Sequence, residues 1–154
     1  RKAGGGKGKI MIVIEEMTEE DVEQASELES RSFSMPWRAE DFLEMVKADY
    51  AHYFVAKEEG KIIGCCGLRD ISGEGEITNV VVDSDCRGRG IGRALMEYML
   101  KEAEKLGIGD CTLEVRVSNQ PAISLYESLG FRGEGVRPDF YEKPREDALI
   151  MWKR

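Results

Sequence analysis

The chain has 154 residues, enough for one domain with a substantial core and too few for two ordinary ones. Its 42% hydrophobic and 34% charged residues describe a globular chain, and a formal net charge of −8 argues against general affinity for nucleic acid or anionic membrane. Four cysteines (Cys65, Cys66, Cys86, Cys111) without C-x-x-C spacing and a single histidine, His52, leave no metal-ligand cluster to assemble.

Free buried thiols in a reducing cytosol fit the cysteines best. No run is long and apolar enough to span a membrane, and no signal peptide is visible. The expected setting is therefore cytoplasmic, without membrane contact. The acidic balance also suits a basic peptide partner.

Arg1–Lys9 (RKAGGGKGK) resembles a tag or linker remnant, and a natural start at Met11 leaves residues 1–10 outside a single domain over 11–154. Ile10–Glu16 reads as the first strand. Thr18 with Asp21 resembles a capping-box start for a helix running to about Ser32, which Ser34-Met35-Pro36-Trp37 breaks. A second helix follows over Ala39–Lys47, with Phe42, Met45 and Val46 inward. Then the period shortens. His52–Lys57 and Lys61–Leu68 are strand-like runs joined across Glu58-Glu59-Gly60, and adjacent Cys65 and Cys66 should point to opposite faces. Ser72–Gly75 is a second turn.

The next stretch organises the chain. A β-branched run, Val80-Val81-Val82, gives way to a polar turn and then to Arg87-Gly88-Arg89-Gly90-Ile91-Gly92-Arg93 at the start of a helix. Ile91, Ala94, Leu95, Tyr98, Met99 and Leu106 fall on one side of that helix. A strand, a glycine loop and a helix start form an anion site: free N–H groups point outward, the dipole favours negative charge, and glycines let a phosphate approach the backbone. Arg87, Arg89 and Arg93 add cationic donors. The loop is neither a P-loop, since no Lys follows the glycines, nor a dinucleotide fingerprint, whose third glycine is missing. It reads R-x-x-G-x-G.

Leu106-Gly107-Ile108-Gly109 stops the helix, and Cys111–Val117 forms another strand. Leu113, Val115 and Val117 share one of its faces, Glu114 and Arg116 the other. Asn119 can cap the next helix, Pro121 suits its first turn, and the helix ends near Gly130 with Tyr126 on a stripe with Ala122, Leu125 and Leu129. Spacing alone leaves Glu114 open between a solvated strand face and a general base, and Tyr126 open between a core tyrosine and an acid. Two last strands, about Phe131–Val136 and Ala148–Lys153, flank a long loop containing Arg137–Arg145. The order β-α-α-β-β-β-α-β-α-β-β, with early hairpins and one crossover, predicts a mixed α/β sheet.

The glycine loop resembles the pyrophosphate loop of the GNAT superfamily of acetyl-CoA-dependent N-acetyltransferases. LEVRVSNQPAISLYESLGF, Leu113 through Phe131, is similar to the characteristic run of the ribosomal-protein-alanine N-acetyltransferases within that superfamily. The likeness extends to Phe33–Trp37 (FSMPW) and to Arg137 onward (RPDFYEKPREDALIM). The resemblance implies the GNAT acyl-CoA N-acyltransferase fold, a mixed, mostly antiparallel central sheet flanked by helices, and acetyl-CoA as donor without a metal. It implies Glu114 as general base and Tyr126 as general acid. Arg87, Gly88, Arg89, Gly90, Ile91, Gly92 and Arg93 would hold the diphosphate. Asn119 would contact the cofactor, and the backbone of Val80, Val81 and Val82 the thioester arm. The implied partner is a ribosomal protein N-terminus, the N-terminal alanine of the eighteenth small-subunit protein, acetylated by an enzyme that is a monomer or weak dimer.

Where the family commonly reads Arg-x-Asn-Tyr-Tyr, this chain has Arg137-Pro138-Asp139-Phe140-Tyr141. The exchange adds a charge and removes a hydroxyl on the acceptor side. Acetylation of lysine side chains or small amines is the alternative enzyme reading. An α-amine near pKa ~8 needs about 3 kcal/mol less help to deprotonate than a lysine near ~10.4. A non-catalytic acyl-CoA-binding module is the third reading; such a binder needs neither Glu114 nor Tyr126.

Overall fold

A computed structural model of the protein describes residues 11–154. The expectation for residues 1–10 lies outside them. The elements are β1 (Ile12–Glu16), α1 (Val22–Ser32), α2 (Ala39–Lys47), β2 (Ala51–Glu58), β3 (Lys61–Ile71), β4 (Glu74–Val82), α3 (Ile91–Lys105), β5 (Cys111–Arg116), α4 (Gln120–Ser128), β6 (Arg132–Glu142) and β7 (Arg145–Lys153). This is the order expected from the sequence. The strands form one sheet, β1-β2-β3-β4-β5-β7-β6, in which only β4 and β5 run parallel.

Local chemistry sets the boundaries. Thr18 N–H donates to Asp21 Oδ2 at 2.8 Å ahead of α1, and Arg38 N–H donates to Asp41 Oδ2 at 2.8 Å at the start of α2. The first two hairpins close through Glu59-Gly60 and Ser72-Gly73, all four at positive φ, which matches the twist of the flanking strands. Glu74 and Gly75, expected in the second turn, already belong to β4.

Strand alternation builds two cores. Tyr53, Val55, Cys65 and Val81 face α1 and α2, packing with Leu28 and Phe42. Phe54, Ala56, Cys66 and Leu113 face α3 and α4, packing with Leu95, Met99 and Ile123. Cys65 and Cys66 thus lie on opposite faces, as the period of two requires.

Three expectations are corrected. The long loop over Arg137–Arg145 is instead a hairpin, in which β6 continues to Glu142 and pairs with β7 up to Glu142–Arg145. β6 is exposed along almost its whole length, so no apolar alternation marks it, and the pairing absorbs irregularities between Gly133 and Gly135 and between Arg137 and Tyr141. On α3, Tyr98 and Leu106 are 36% and 53% exposed, while Met96 and Ala103 are buried in their place. Leu106 follows the last helical residue, and Tyr98 covers Phe54 only edge-on, at 5.3 Å. Val117 lies past the end of β5 and is exposed.

Candidate active site

β4 and β5 are paired only at Gly75–Cys111 and Glu76–Thr112, although β4 runs on to Val82 and β5 to Arg116. Beyond that point the two strands splay, and β4 from Ile77 onward has no β5 partner for its backbone groups. A bulge accompanies the divergence: Leu68 faces Ile77 and Gly67 faces Asn79, so Thr78 is an extra residue in β4. Gly67 is required there, because a Cβ would sit 2.3 Å from the Tyr53 ring.

A cavity of about 570 Å³ lies in this region, with Thr78, Asn79 and Val80 of β4 and Glu114 and Arg116 of β5 in its wall. Glu29 and the Phe33–Trp37 turn line it from the α1 side, Asn119 and Tyr126 from α4, and Phe140 and Tyr141 from the β6–β7 hairpin. Glu114 projects opposite to buried Leu113 and Val115, and its Oε2 lies 3.6 Å from Arg137 Nη1. Tyr126 is buried on α4 with its ring 6.1 Å from Phe131. Its hydroxyl makes no hydrogen bond among the described residues. Burial, then Tyr141 and Cys66, push the Tyr126 phenol up to about 12. The Tyr141 phenol is likewise pushed up, by burial first and by Glu114 second, while Arg116 stacks over its ring at 4.3 Å. Burial also raises the Cys65 and Cys66 thiols, so neither is a ready nucleophile.

The glycine loop lies where β4 ends. Gly90 caps α3 at φ 80°, ψ 14°, a conformation that favours glycine, and the Ala94 N–H is the first to bond back, to Gly90 at 3.0 Å. The N–H groups of Ile91, Gly92 and Arg93 therefore have no intrahelical partner. Nothing lies within 4 Å of a Cβ placed on Gly88 or Gly90, so the loop surface is open to a phosphate. The arginines differ. Arg87 is exposed, Arg89 pairs with Glu58 of β2, and Arg93 donates to Ser128 Oγ at 2.7 Å. The loop does not line the cavity. Of the cofactor-binding candidates, Val80 and Asn119 do, while Val81 is buried in the core. Asn119 also caps α4, its Oδ1 accepting from Ala122 N–H at 3.3 Å.

Residues 20–131 match the Acetyltransferase (GNAT) family. The chain belongs to this family. It has the GNAT fold and is an acetyl-CoA-dependent N-acetyltransferase. It is 36% identical over 143 residues to the [ribosomal protein bS18]-alanine N-acetyltransferase of Escherichia coli K12, covering 92% of this chain and 96% of that one. It is 32% identical over 146 residues to the N-alpha-acetyltransferase RimI of Mycobacterium tuberculosis, covering 91% and 90%. The crystal structure of the ribosomal-protein-S18-alanine N-acetyltransferase from Escherichia coli superposes with a TM-score of 0.85 at 35% identity, covering 92% of each chain.

Motif reading brought Glu114, Tyr126 and Asn119 to this GNAT cavity. It missed Glu29 and Asn79, which line the cavity, and Tyr53 of the core behind them, which is linked to Glu29 through Asn79. Only the inward alternation of Tyr53 in a strand signalled any of them. Phe140 lines the cavity, as its place in the family run implies; Asp139, at φ 54° with its N–H on Asp147 Oδ1 at 2.9 Å, does not.

Proposed function

We propose that this enzyme acetylates the α-amine of a protein N-terminus, an N-terminal alanine of ribosomal protein bS18, within a single domain spanning 11–154. The observation that carries the reading is the Tyr126 phenol, without a hydrogen-bond partner among the described residues, in the same cavity wall as the Glu114 carboxylate. A buried hydroxyl ordinarily finds a partner, and here a leaving sulfur would supply one. Among the relatives, the names of the Escherichia coli and Mycobacterium tuberculosis proteins support the α-amine and alanine assignments.

Acetyl-CoA supplies a thioester acetyl group. The residues present suit it. Unpaired N–H groups at the start of α3, open glycines and exposed Arg87 would hold the diphosphate, with Arg89 and Arg93 beside them and Asn119 toward the arm. The β4 backbone over Val80–Val82, paired with β3 on one side but without a β5 partner on the other, would receive the thioester arm, and an N–H on that open side would polarise the carbonyl. Glu114, directly or through a water, would take the proton from the entering ammonium so that the nitrogen lone pair is free to attack. Tyr126 would give its proton to the sulfur as the C–S bond breaks. A phenol raised to about 12 is fully protonated at neutral pH, as an acid must be. Direct transfer requires no cysteine nucleophile.

The same reading takes the protein to be cytoplasmic, with a ribosomal protein N-terminus as its partner and without a direct nucleic-acid or membrane role. Four buried free cysteines support a reducing compartment, and no described helix is long and apolar enough to cross a membrane. The test compares kcat/KM for a peptide beginning with alanine and for an internal-lysine peptide of the same composition with a blocked N-terminus. The α-amine peptide should react far faster. Equal rates would replace this reading with lysine acetylation.

A further inference from the structure

The cavity contains a carboxylate that this reaction does not use. Glu29, on the last turns of α1, is 3% exposed, yet it forms part of the cavity wall. Its Oε1 accepts from the Trp37 backbone N–H at 3.2 Å, and its Oε2 accepts from Asn79 Nδ2 at 3.1 Å. Asn79 Oδ1 accepts in turn from Tyr53 Oη at 3.2 Å, and Tyr53 Oη is also bonded to Thr78 Oγ1 at the bulge. Each group fixes the next, so the carboxylate is held by three elements.

Both donors to Glu29 are neutral, and among the described residues it forms no ion pair. Of the cations in the cavity wall, Arg116 pairs with Glu146 at 3.1 Å, and Lys143 belongs to the hairpin turn, where its carbonyl accepts from Ser34 Oγ. A buried carboxylate is costly to keep ionised unless a cation accompanies it, and burial pushes the Glu29 carboxyl up from its ordinary value. A glutamine would offer only one oxygen to the two N–H donors, so the site specifies a carboxylate. A rigidly held carboxylate in the cavity wall, with no protein cation paired to it among the described residues, fits a cation that arrives with the ligand.

We propose that Glu29 is the anionic anchor of the acceptor cavity, a specificity-determining residue that receives the acceptor amine as an ammonium before Glu114 takes its proton. The inference rests on the cavity being the acceptor site and names the charge state that the site recognises. It separates two tasks that one carboxylate performs poorly together. Glu29 would favour the protonated amine for binding, and Glu114 would remove the proton for attack.

The test uses a peptide with a free amine and the same peptide with that amine acetylated, titrated by calorimetry against wild type, Glu29→Gln and Glu29→Asp. The amine is the one that wild type acetylates, α or ε. A wrong choice between α-amine and lysine is thereby a separate result, read from the kinetics. Wild type should prefer the free amine. Glu29→Gln should shrink that preference on the order of 10- to 100-fold by weakening the free-amine peptide alone. Glu29→Asp, which keeps the charge, should retain most of it. Acetyl-CoA affinity should not change in either variant, which serves as the check on folding. If Glu29→Gln weakens both peptides equally, or leaves the preference unchanged, Glu29 is a wall residue and the anchor is wrong.

Discussion

Arg137 Nη1 on β6 lies 3.6 Å from Glu114 Oε2 on β5, so the strand that was expected to be a loop reaches the proposed base. Arg137 also lies 5.3 Å over the Phe140 ring, which is part of the cavity wall. The Arg137 side chain is 54% exposed and that of Glu114 25%, and at 3.6 Å the pair is worth no more than about 1 kcal/mol to folding. Its value is orientation. Arg137→Ala should leave thermal stability nearly unchanged while lowering acceptor kcat/KM roughly 10- to 100-fold, with acetyl-CoA affinity intact. Unchanged kinetics would remove the guanidinium from the site.

Glu114→Gln should retain acetyl-CoA binding and lose roughly 10²–10⁴-fold in kcat at neutral pH, the usual span for one general base. Raising the pH should recover part of the loss, because the amine then deprotonates without help. Wild-type rates at pH 7 would return Glu114 to an ordinary strand-face carboxylate.

Tyr126→Phe removes one hydroxyl that has no hydrogen-bond partner among the described residues, so stability should hold within about 1 kcal/mol. The kcat should fall roughly 10²–10⁴-fold if the phenol is the acid. With its pKa pushed up to about 12, the acid form persists through the alkaline range. The wild-type rate should therefore show no alkaline limb below about pH 11 from this group. A limb near pH 8 would assign the acid elsewhere.

The parts of the fold legible in the sequence were those with local periodicity. The β-branched run at Val80–Val82, the glycines before α3 and the alternation of Leu113 and Val115 each carry their own signal. β6 carries none, because it is exposed on both faces, and Pro138 and Asp139 interrupt what remains. The extra residue Thr78 accompanies the splay, and its register becomes apparent only once β3 is paired. The Glu29–Asn79 bond joins residues 50 apart, each unremarkable in its own segment. Local pattern thus brought Glu114 and Tyr126 forward as candidates, the family resemblance implied their roles, and the rest of the cavity wall arises from long-range packing.

Two glycines of the loop should respond differently. Gly90 has φ 80°, so a side chain there strains the helix start, whereas a Cβ on Gly92 meets Leu125 and Val82 at 3.6 Å, ordinary contact. A single methyl at Gly92 should be tolerated, whereas a bulky side chain such as Gly92→Phe should cover the loop and lose most of the melting-temperature rise that acetyl-CoA gives wild type. Gly90→Val should lower the melting temperature of the free protein as well. A full acetyl-CoA shift in a folded Gly92→Phe would place the diphosphate elsewhere.

In the proposed reaction the acetyl group goes to an α-amine. The most direct measurement is tandem mass spectrometry on one peptide that carries both a free N-terminal alanine and an internal lysine, after limited turnover with acetyl-CoA. The α-amine of the alanine should carry a single acetyl group in wild type, and Glu114→Gln should give almost none in the same time. Acetyl found on the lysine, or on both amines at similar rates, would rule out specific α-amine transfer.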